Sequence, residues 1–304
     1  MNHKLQQNSY DIEKINDIEI NTKFLGLFRQ HNLVKYDDFI KLSHGKLFRE
    51  NELRSVVEFE LLNESDNKFI FHIKRHALNI KETIKSICNC FNAFDGENEW
   101  KMILYLHSAG IRTMVPVVFG MQRKFMLPWK SFTVTEHLYN TKRLEDFLQE
   151  DLIHKSDKFQ VKKKITLELA SVSSKFHKLG MVHQDFYLGH FFINTNNLKH
   201  GDFNNEISDS DLFLIDLQRV YKPFFAFRKK IKDLAQLYFS STMFSCVTNI
   251  DRMRFYKIYS GRNKRLSFYD KLIIKIIISK ALKIQKHTDK VLSKSKVDKN
   301  ANNI

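Results

Sequence analysis

The run MVHQDFYLGHFFIN, Met181 to Asn194, is the stretch from which the rest of the chain can be read. His183 and Asp185 form a His-x-Asp just after a helix-like segment that stops at Gly180. Four residues, Phe191, Phe192, Ile193 and Asn194, then read as a short buried strand. A second run, LFLIDLQR from Leu212, has apolar residues at 212 to 215 that deliver Asp216 at a strand's end. Two strand-borne acids are thus expected to face one site. A lone His-x-Asp is weak evidence, and a strand-terminal Asp is more often a structural hydrogen-bonding residue than a catalyst. Both motifs in this order are much rarer by chance, so the functional reading takes precedence.

His183 and Asp185, a candidate metal ligand His190 five positions later, and Asp216 after the next strand reproduce the layout of a protein-kinase-like phosphotransfer site. In that layout the first Asp orients and deprotonates the acceptor hydroxyl. The later ligand and the second Asp hold magnesium on the nucleotide phosphates. The spacing has a mechanical reason: acceptor, metal and phosphate must lie nearly in line, so the ligands come from the two arms of one hairpin.

A chain of 304 residues can bury a substantial core, as one large domain or two smaller ones. With 43% apolar and 28% charged residues it has the composition of a folded globular protein. The unusual features are 27 Phe, only 9 Gly and 3 Pro, and a formal charge of +16. A basic excess of that size implies an acidic partner: nucleic acid, a nucleotide or an anionic membrane surface. A nucleic-acid reading rests on charge alone and is disfavoured. Cys88, Cys90 and Cys246 have neither metal-ligand spacing nor the even number of a disulfide framework, so a reducing cytoplasm is the expected home. Nothing in the N-terminal run resembles a signal peptide, and no apolar window is long enough to span a bilayer.

Residues 1 to about 25 are polar and read as a mobile arm or a short preliminary helix. From Ser55 the pattern changes: VVEFELL, a turn-rich NESDN, then KFIFHIKRH, with Phe69, Phe71 and Ile73 alternating against Ile70, His72 and Lys74. That is a hairpin with Lys74 on its second strand. IKSICNCF reads as a short helix, and Glu97 to Ala109 as a helix with Trp100, Ile103, Leu104 and His107 on one side and Gly110 as its stop. A strand-borne Lys74 followed by a helix-borne Glu99 is what a kinase small lobe uses to grip phosphates. TMVPVVFG and SFTVTEHL are two further strands separated by QRKFMLPWK, with Glu136 to Leu138 as the hinge whose backbone holds an adenine. LEDFL reads as a short helix, and Ile165 to Leu179 as a half-buried one. The Asn- and Asp-rich stretch between Asn194 and Leu212 reads as a long surface loop. Beyond it, aromatic and basic residues alternate before a helix containing Asp233, and the last third is helical with a basic face and a solvated tail. Phe224, Phe225 and Phe227 among Lys222, Arg228, Lys229 and Lys230 suit adsorption to anionic lipid.

Taken together, NEWKMILYLHSAGIRTM, SFTVTEHL with LEDFL, FHKLGMVHQDFYLGHFF, LFLIDLQR and RKKIKDLAQLYFSS resemble the lipopolysaccharide core kinases, most closely the heptose I kinase group, which have the protein-kinase-like fold. The resemblance runs from about residue 55 to about residue 245, and a His where most protein kinases carry Asn is fairly specific to this group. It implies Asp185 as catalytic base, His190 and Asp216 as magnesium ligands, Lys74 as the phosphate-gripping lysine and Glu99 as its partner. The same resemblance places an adenine against the backbone of Glu136 to Leu138. Asp233 matches the helix Asp that braces the catalytic loop. The implied cofactors are ATP and Mg2+. The acceptor is a sugar hydroxyl of the lipopolysaccharide inner core, met at the cytoplasmic face of the inner membrane.

Three departures stand out. The segment at Val56 to Leu62 has no GxGxxG. HRD is HQD here, so an activation loop that pairs its phosphate with that Arg has no anchor, and no activation by that route is expected. Asp216 lies 31 positions after Asp185, a long gap that the polar loop accounts for. The expected architecture is an α+β two-lobe protein-kinase-like fold: an arm over 1–40, a β-rich nucleotide-binding lobe over 41–137, a helical catalytic lobe over 138–290 and a tail over 291–304. The rival functions are a kinase of another small molecule, of aminoglycoside or choline type, and a catalytically silent kinase-like binding protein.

Overall fold

The computed structural model describes residues 10–42, 44–51, 53–77, 95–124, 127–152, 158–196, 211–262 and 265–301. They divide into two compact units, one of residues 1–139 with 213–220 and one of 140–212 with 221–304.

The first unit is built on a seven-stranded antiparallel sheet of β1 (Ile12–Ile15), β2 (Ile18–Asn21), β3 (Lys46–Asn51), β4 (Arg54–Leu62), β5 (Lys68–Ala77), β6 (Val115–Lys124) and β7 (Leu127–Glu136), in the order β1-β2-β6-β7-β5-β4-β3. The alternation expected over 69 to 74 is seen: Phe71 and Ile73 are fully buried, while His72 and Lys74 point to the opposite, half-open face. The buried face carries an aromatic core. Phe71 meets Phe24 edge-on at 5.6 Å and Phe28 at 5.2 Å, and Phe39 stacks on Phe132 at 4.9 Å. Gly120 lies opposite Phe132 across β6 and β7, and a Cβ there would run into the Phe132 ring and crowd Tyr36.

The expected mobile arm is a correction. Its described residues form the β1–β2 hairpin, helix α1 (Thr22–Gln30) and helix α2 (Tyr36–Ile40), and they supply Ile18, Ile20, Phe24, Phe28, Tyr36 and Phe39 to the core. Asn21 starts α1 by accepting the Lys23 N–H at 3.1 Å, while its amide donates to the Pro116 carbonyl at 2.9 Å. Each element is too short to be stable alone, so pairing of Ile18 and Ile20 with Gly120 and Val118 of β6 is what holds the segment.

Helix α3 (Asp95–Ser108) begins two residues earlier than the sequence suggests and ends before Gly110, whose φ of 67° matches its role as a stop. Trp100, Ile103 and Leu106 are buried along it. Strands β6 and β7 extend through most of QRKFMLPWK, which was expected to be a connection.

The second unit is mainly helical. Strand β8 (Thr141–Arg143) pairs with β9 (Phe191–Asn194), and residues 144–151 are helical as LEDFL suggests. Helix α4 spans Lys158–Lys178, starting before the Ile165 expected. Helices α5 (Ala226–Thr242), α6 (Asn249–Tyr259) and α7 (Phe268–Ala301) follow. Helix α7 continues through the expected tail, as nothing in 268–301 is Gly or Pro to stop it. IKSICNCF, with Cys88 and Cys90, and most of the Asn- and Asp-rich loop lie outside the described residues. Among the described residues no helix is long and apolar enough to cross a membrane.

Candidate active site

In the first unit, Lys74, Glu99 and Asp216 meet. Lys74 leaves β5 on its half-open face, and its Nζ donates to Glu99 Oε1 at 3.0 Å and to Asp216 Oδ1 at 2.9 Å. The sequence separates these partners from Lys74 by 25 and 142 residues, so only tertiary structure makes the cluster. Glu99 is almost wholly buried; Lys74 and Asp216 keep about a quarter of their side-chain surface. Burial alone would lower the Lys74 ammonium. The charges of Glu99 and Asp216 overcome it and hold the ammonium above its ordinary value, so Lys74 is a fixed cation.

Contacts of three further residues, Asn98, Trp100 and Gly96, set this geometry. Asn98, beside Glu99, donates its amide to the Gln218 carbonyl at 2.9 Å and the Val220 carbonyl at 2.8 Å, tying α3 to the turn after Asp216. Trp100 Nε1 donates to Glu19 Oε2 at 2.6 Å. Gly96 lets the start of α3 approach β7, since a Cβ would strike the Ser131 hydroxyl. Asp216 sits at φ 60° and ψ 55°, a left-handed conformation that turns the chain sharply as strand β10 (Leu212–Leu214) ends.

Glu136 closes β7 opposite Phe71 and Val115, and its carboxylate lies 3.6 Å from Lys23 Nζ. The next residue, His137, donates its N–H to the Ile70 carbonyl at 2.9 Å, and Leu138 follows beyond the strand. The β3–β4 hairpin pairs up to Asn51 and Arg54, with no glycine between them.

In the second unit the loop from His183 to His190 is braced by one face of α5. The buried Asp233 carboxylate accepts the N–H of His183 at 2.7 Å and of Gln184 at 3.1 Å, and lies 3.3 Å from His177 Nε2. Gln236 donates to the Gln184 carbonyl at 2.7 Å and accepts the Phe186 N–H at 3.2 Å, and Ser240 accepts the Leu188 N–H at 3.0 Å. Lys232 adds a bond to the Gln184 carbonyl at 3.0 Å. Gln184 has a φ of 70°, a cost these bonds offset. Asp233, Gln236 and Ser240 recur at helical spacing; the sequence reading found only the first, and that periodicity was the available signal.

Asp185 is half-buried at the centre of this loop. The Tyr187 phenol beside it is pushed up by burial, against the pull of its Gln236 hydrogen bond, and the Asp185 charge adds to the rise. His190 Nδ1 lies 2.6 Å from the Asp185 carbonyl oxygen. A carbonyl only accepts, so Nδ1 carries the proton and Nε2 the lone pair. That tautomer is the one a metal-ligating imidazole needs, and backbone carbonyls orient such ligands in this way. His190 thus fits a divalent cation in donor chemistry, and the Asp216 carboxylate does so in charge.

Known proteins resemble the chain in sequence and in fold. The model of the lipopolysaccharide kinase (Kdo/WaaP) family matches residues 39–259. The lipopolysaccharide core heptose(I) kinase WaaP of Escherichia coli strain K12 is 29% identical over 255 residues, 83% of this chain and 91% of that protein. The Pseudomonas aeruginosa protein of the same name is 29% identical over 228 residues, 74% of this chain and 81% of its own. Among solved structures, WaaP in complex with acyl carrier protein matches with a TM-score of 0.65 at 27% identity, covering 88% of this chain and 98% of that one. These matches bear out the protein-kinase-like α+β fold and favour the lipopolysaccharide kinase reading over the small-molecule and silent alternatives. The chain belongs to the lipopolysaccharide kinase (Kdo/WaaP) family.

Proposed function

We propose that this kinase transfers the γ-phosphate of ATP to a heptose hydroxyl of the lipopolysaccharide inner core, with Lys74, Glu99, Asp185, His190 and Asp216 in the roles their positions suggest. The observation that carries the reading is the half-buried Lys74 ammonium held between Glu99 and Asp216. A cation fixed by two acids has the charge and the rigidity to grip nucleotide phosphates. The backbone of Glu136 to Leu138 takes the adenine. Asp185 accepts the proton of the attacking hydroxyl, held in place by the loop's bonds to Asp233, Gln236 and Ser240. His190 and Asp216 each supply a donor suited to magnesium, which when bound neutralises phosphate charge.

The test is transfer from radiolabelled ATP with magnesium to purified core lipopolysaccharide lacking phosphate. Label should enter the glycolipid with the unmodified protein. With Asp185→Asn it should fall by about 10²–10⁴-fold, the usual worth of a general base. Turnover retained in that variant removes the base assignment, and no transfer by either protein removes the acceptor.

A membrane contact is part of the same proposal. Phe224, Phe225 and Phe227 are exposed by 94%, 78% and 62%, far more than isolated surface aromatics need to be. Around α5 and α7 the cations crowd: the Lys280 ammonium is lowered by burial and then by Arg228, Lys232, Lys229 and Lys283. Apolar rings beside clustered cations suit the anionic inner-membrane surface where the glycolipid acceptor sits.

One observation favours a further partner. The second unit has a half-open apolar pocket of about 260 Å³ lined by Leu148, Ile165, Leu169, Leu234, Leu237 and Ile277 among others. An apolar pocket of this kind, in a strongly basic chain, suits an acyl chain delivered by an acidic acyl carrier protein. Co-purification with acyl carrier protein, lost on Leu169→Trp, would support it.

A further inference from the structure

The Lys74-bearing face of the first sheet holds a second cluster whose side chains the kinase chemistry does not use, although the backbone of one member, His137, lies in the segment assigned above to the adenine. Glu58 and His72 are directly opposite each other across β4 and β5, and His72 is opposite Thr135 across β5 and β7. His137 comes two residues after Thr135, so the strand period turns it to the same side. The three side chains converge. His72 Nε2 lies 3.0 Å from His137 Nδ1, and Glu58 Oε2 lies 3.7 Å from the first and 3.8 Å from the second.

A point equidistant from three atoms at those separations lies about 2.1 Å from each, the length of a zinc–imidazole or zinc–carboxylate bond. Among the described residues this is the one group of three or more acidic, His or Cys side chains whose donor atoms gather closely enough to hold a metal ion. Two His and one Glu is also a donor set that Zn(II) takes with its fourth position open. The side chains keep 20% (Glu58), 29% (His72) and 37% (His137) of their surface, enough for an ion to enter.

We propose that Glu58, His72 and His137 form a binding site for one Zn(II)-class transition-metal ion, with an open fourth position for water or a ligand. The two imidazoles now share one N–H across their 3.0 Å contact; on binding, that proton moves to the other nitrogen of its own ring, and the metal takes its place between the two lone pairs. Burial lowers the His72 pKa, with the neighbouring His137 adding to the effect and Glu58 opposing it. His72 sits two residues from Lys74 on the same face of β5, at the edge of the surface assigned above to the nucleotide. The metal site stands on its own geometry and does not depend on that assignment.

The experiment titrates the full-length protein, without nucleotide, with Zn(II) and separately with Co(II), and repeats both with His137→Ala and Glu58→Gln. His137 is the most exposed of the three, so its loss spares the core. The expected result is one tight equivalent in the unmodified protein, with the strong visible absorption of four-coordinate Co(II). In both variants it should weaken by at least about 10–100-fold, the loss seen when even a supporting partner is removed. Equal binding by the unmodified protein and His137→Ala would overturn the site and leave only scattered surface histidines. So would a weak Co(II) spectrum of the six-coordinate kind.

Discussion

The two units place their candidate catalytic groups by different means. In the first, three charged side chains hold one another: Lys74 lies between Glu99 and Asp216, and the sheet and α3 merely bring them within reach. In the second, Asp185 is placed by a backbone that is itself gripped, with Asp233, Gln236 and Ser240 taking four of the loop's N–H groups. The lesson concerns what a substitution removes. Loss of a charge in the first cluster removes the phosphate grip proposed for it and leaves the sheet. Loss of Asp233 removes the support of a loop that never uses Asp233 for chemistry.

The largest test of that contrast is Asp233→Ala. Two buried backbone N–H groups would lose their acceptor, and the unfolding free energy should drop by about 2–4 kcal/mol in urea denaturation. Transfer should fall with it. Unchanged stability would mean that the loop holds its shape without α5.

Lys74→Met is the counterpart in the first unit. It should weaken nucleotide binding by at least about tenfold, an order expected for loss of a buried charge–phosphate contact. The midpoint of thermal unfolding should move less than in Asp233→Ala. Nucleotide binding that survives would break the grip assigned to Lys74.

A third prediction sharpens the comparison through acid. His76, buried on the same strand as Lys74, has its pKa lowered to about 3 by burial and then by the charges of Lys74 and Arg54, with Asp216 opposing. Between its ordinary value and about 3 the unfolded chain binds a proton that the folded chain refuses. Stability therefore falls as pH drops through that window, by about 1.4 kcal/mol per pH unit for this one group. His76→Gln should flatten the dependence between about pH 6 and 4. A slope equal to that of the unmodified protein would show that His76 is not its source.

The smallest expected effect on the fold is at the exposed rings. Phe224→Ser with Phe227→Ser should change unfolding free energy by no more than about 0.5 kcal/mol. Sedimentation with anionic vesicles should nevertheless decline, and sedimentation with zwitterionic vesicles should stay low. Equal retention by both vesicle types would remove the membrane surface.

Much of the candidate site could be read from local pattern. The spacing of His183, Asp185 and His190, the Asp216 strand end, Lys74 in an alternating hairpin and Glu99 at the start of a helix are signals carried within a few residues of each other. The braces were less legible. Gln236 and Ser240 are ordinary polar residues on a helix, and only the position of the loop above α5 gives them a task. Asn98 likewise acquires its role from the carbonyls of Gln218 and Val220, 120 or more residues away.

By itself, then, the sequence determined the elements whose signals are local: the β4–β5 hairpin, the helix that ends before Gly110, the His-x-Asp loop and the order in which the acids appear. Tertiary structure alone decided the rest. Residues 1 to about 25 read as polar and 1–40 as an arm because the elements over 12–40 are four to nine residues long, and their apolar residues become a core only once β2 pairs with β6. Glu58 and His72 come from two strands and His137 from just past the end of a third, and strand register brings their donor atoms together. Hydrophobic period and capping act over one or two turns of chain, whereas register and ion pairing join residues whose separation no local pattern records.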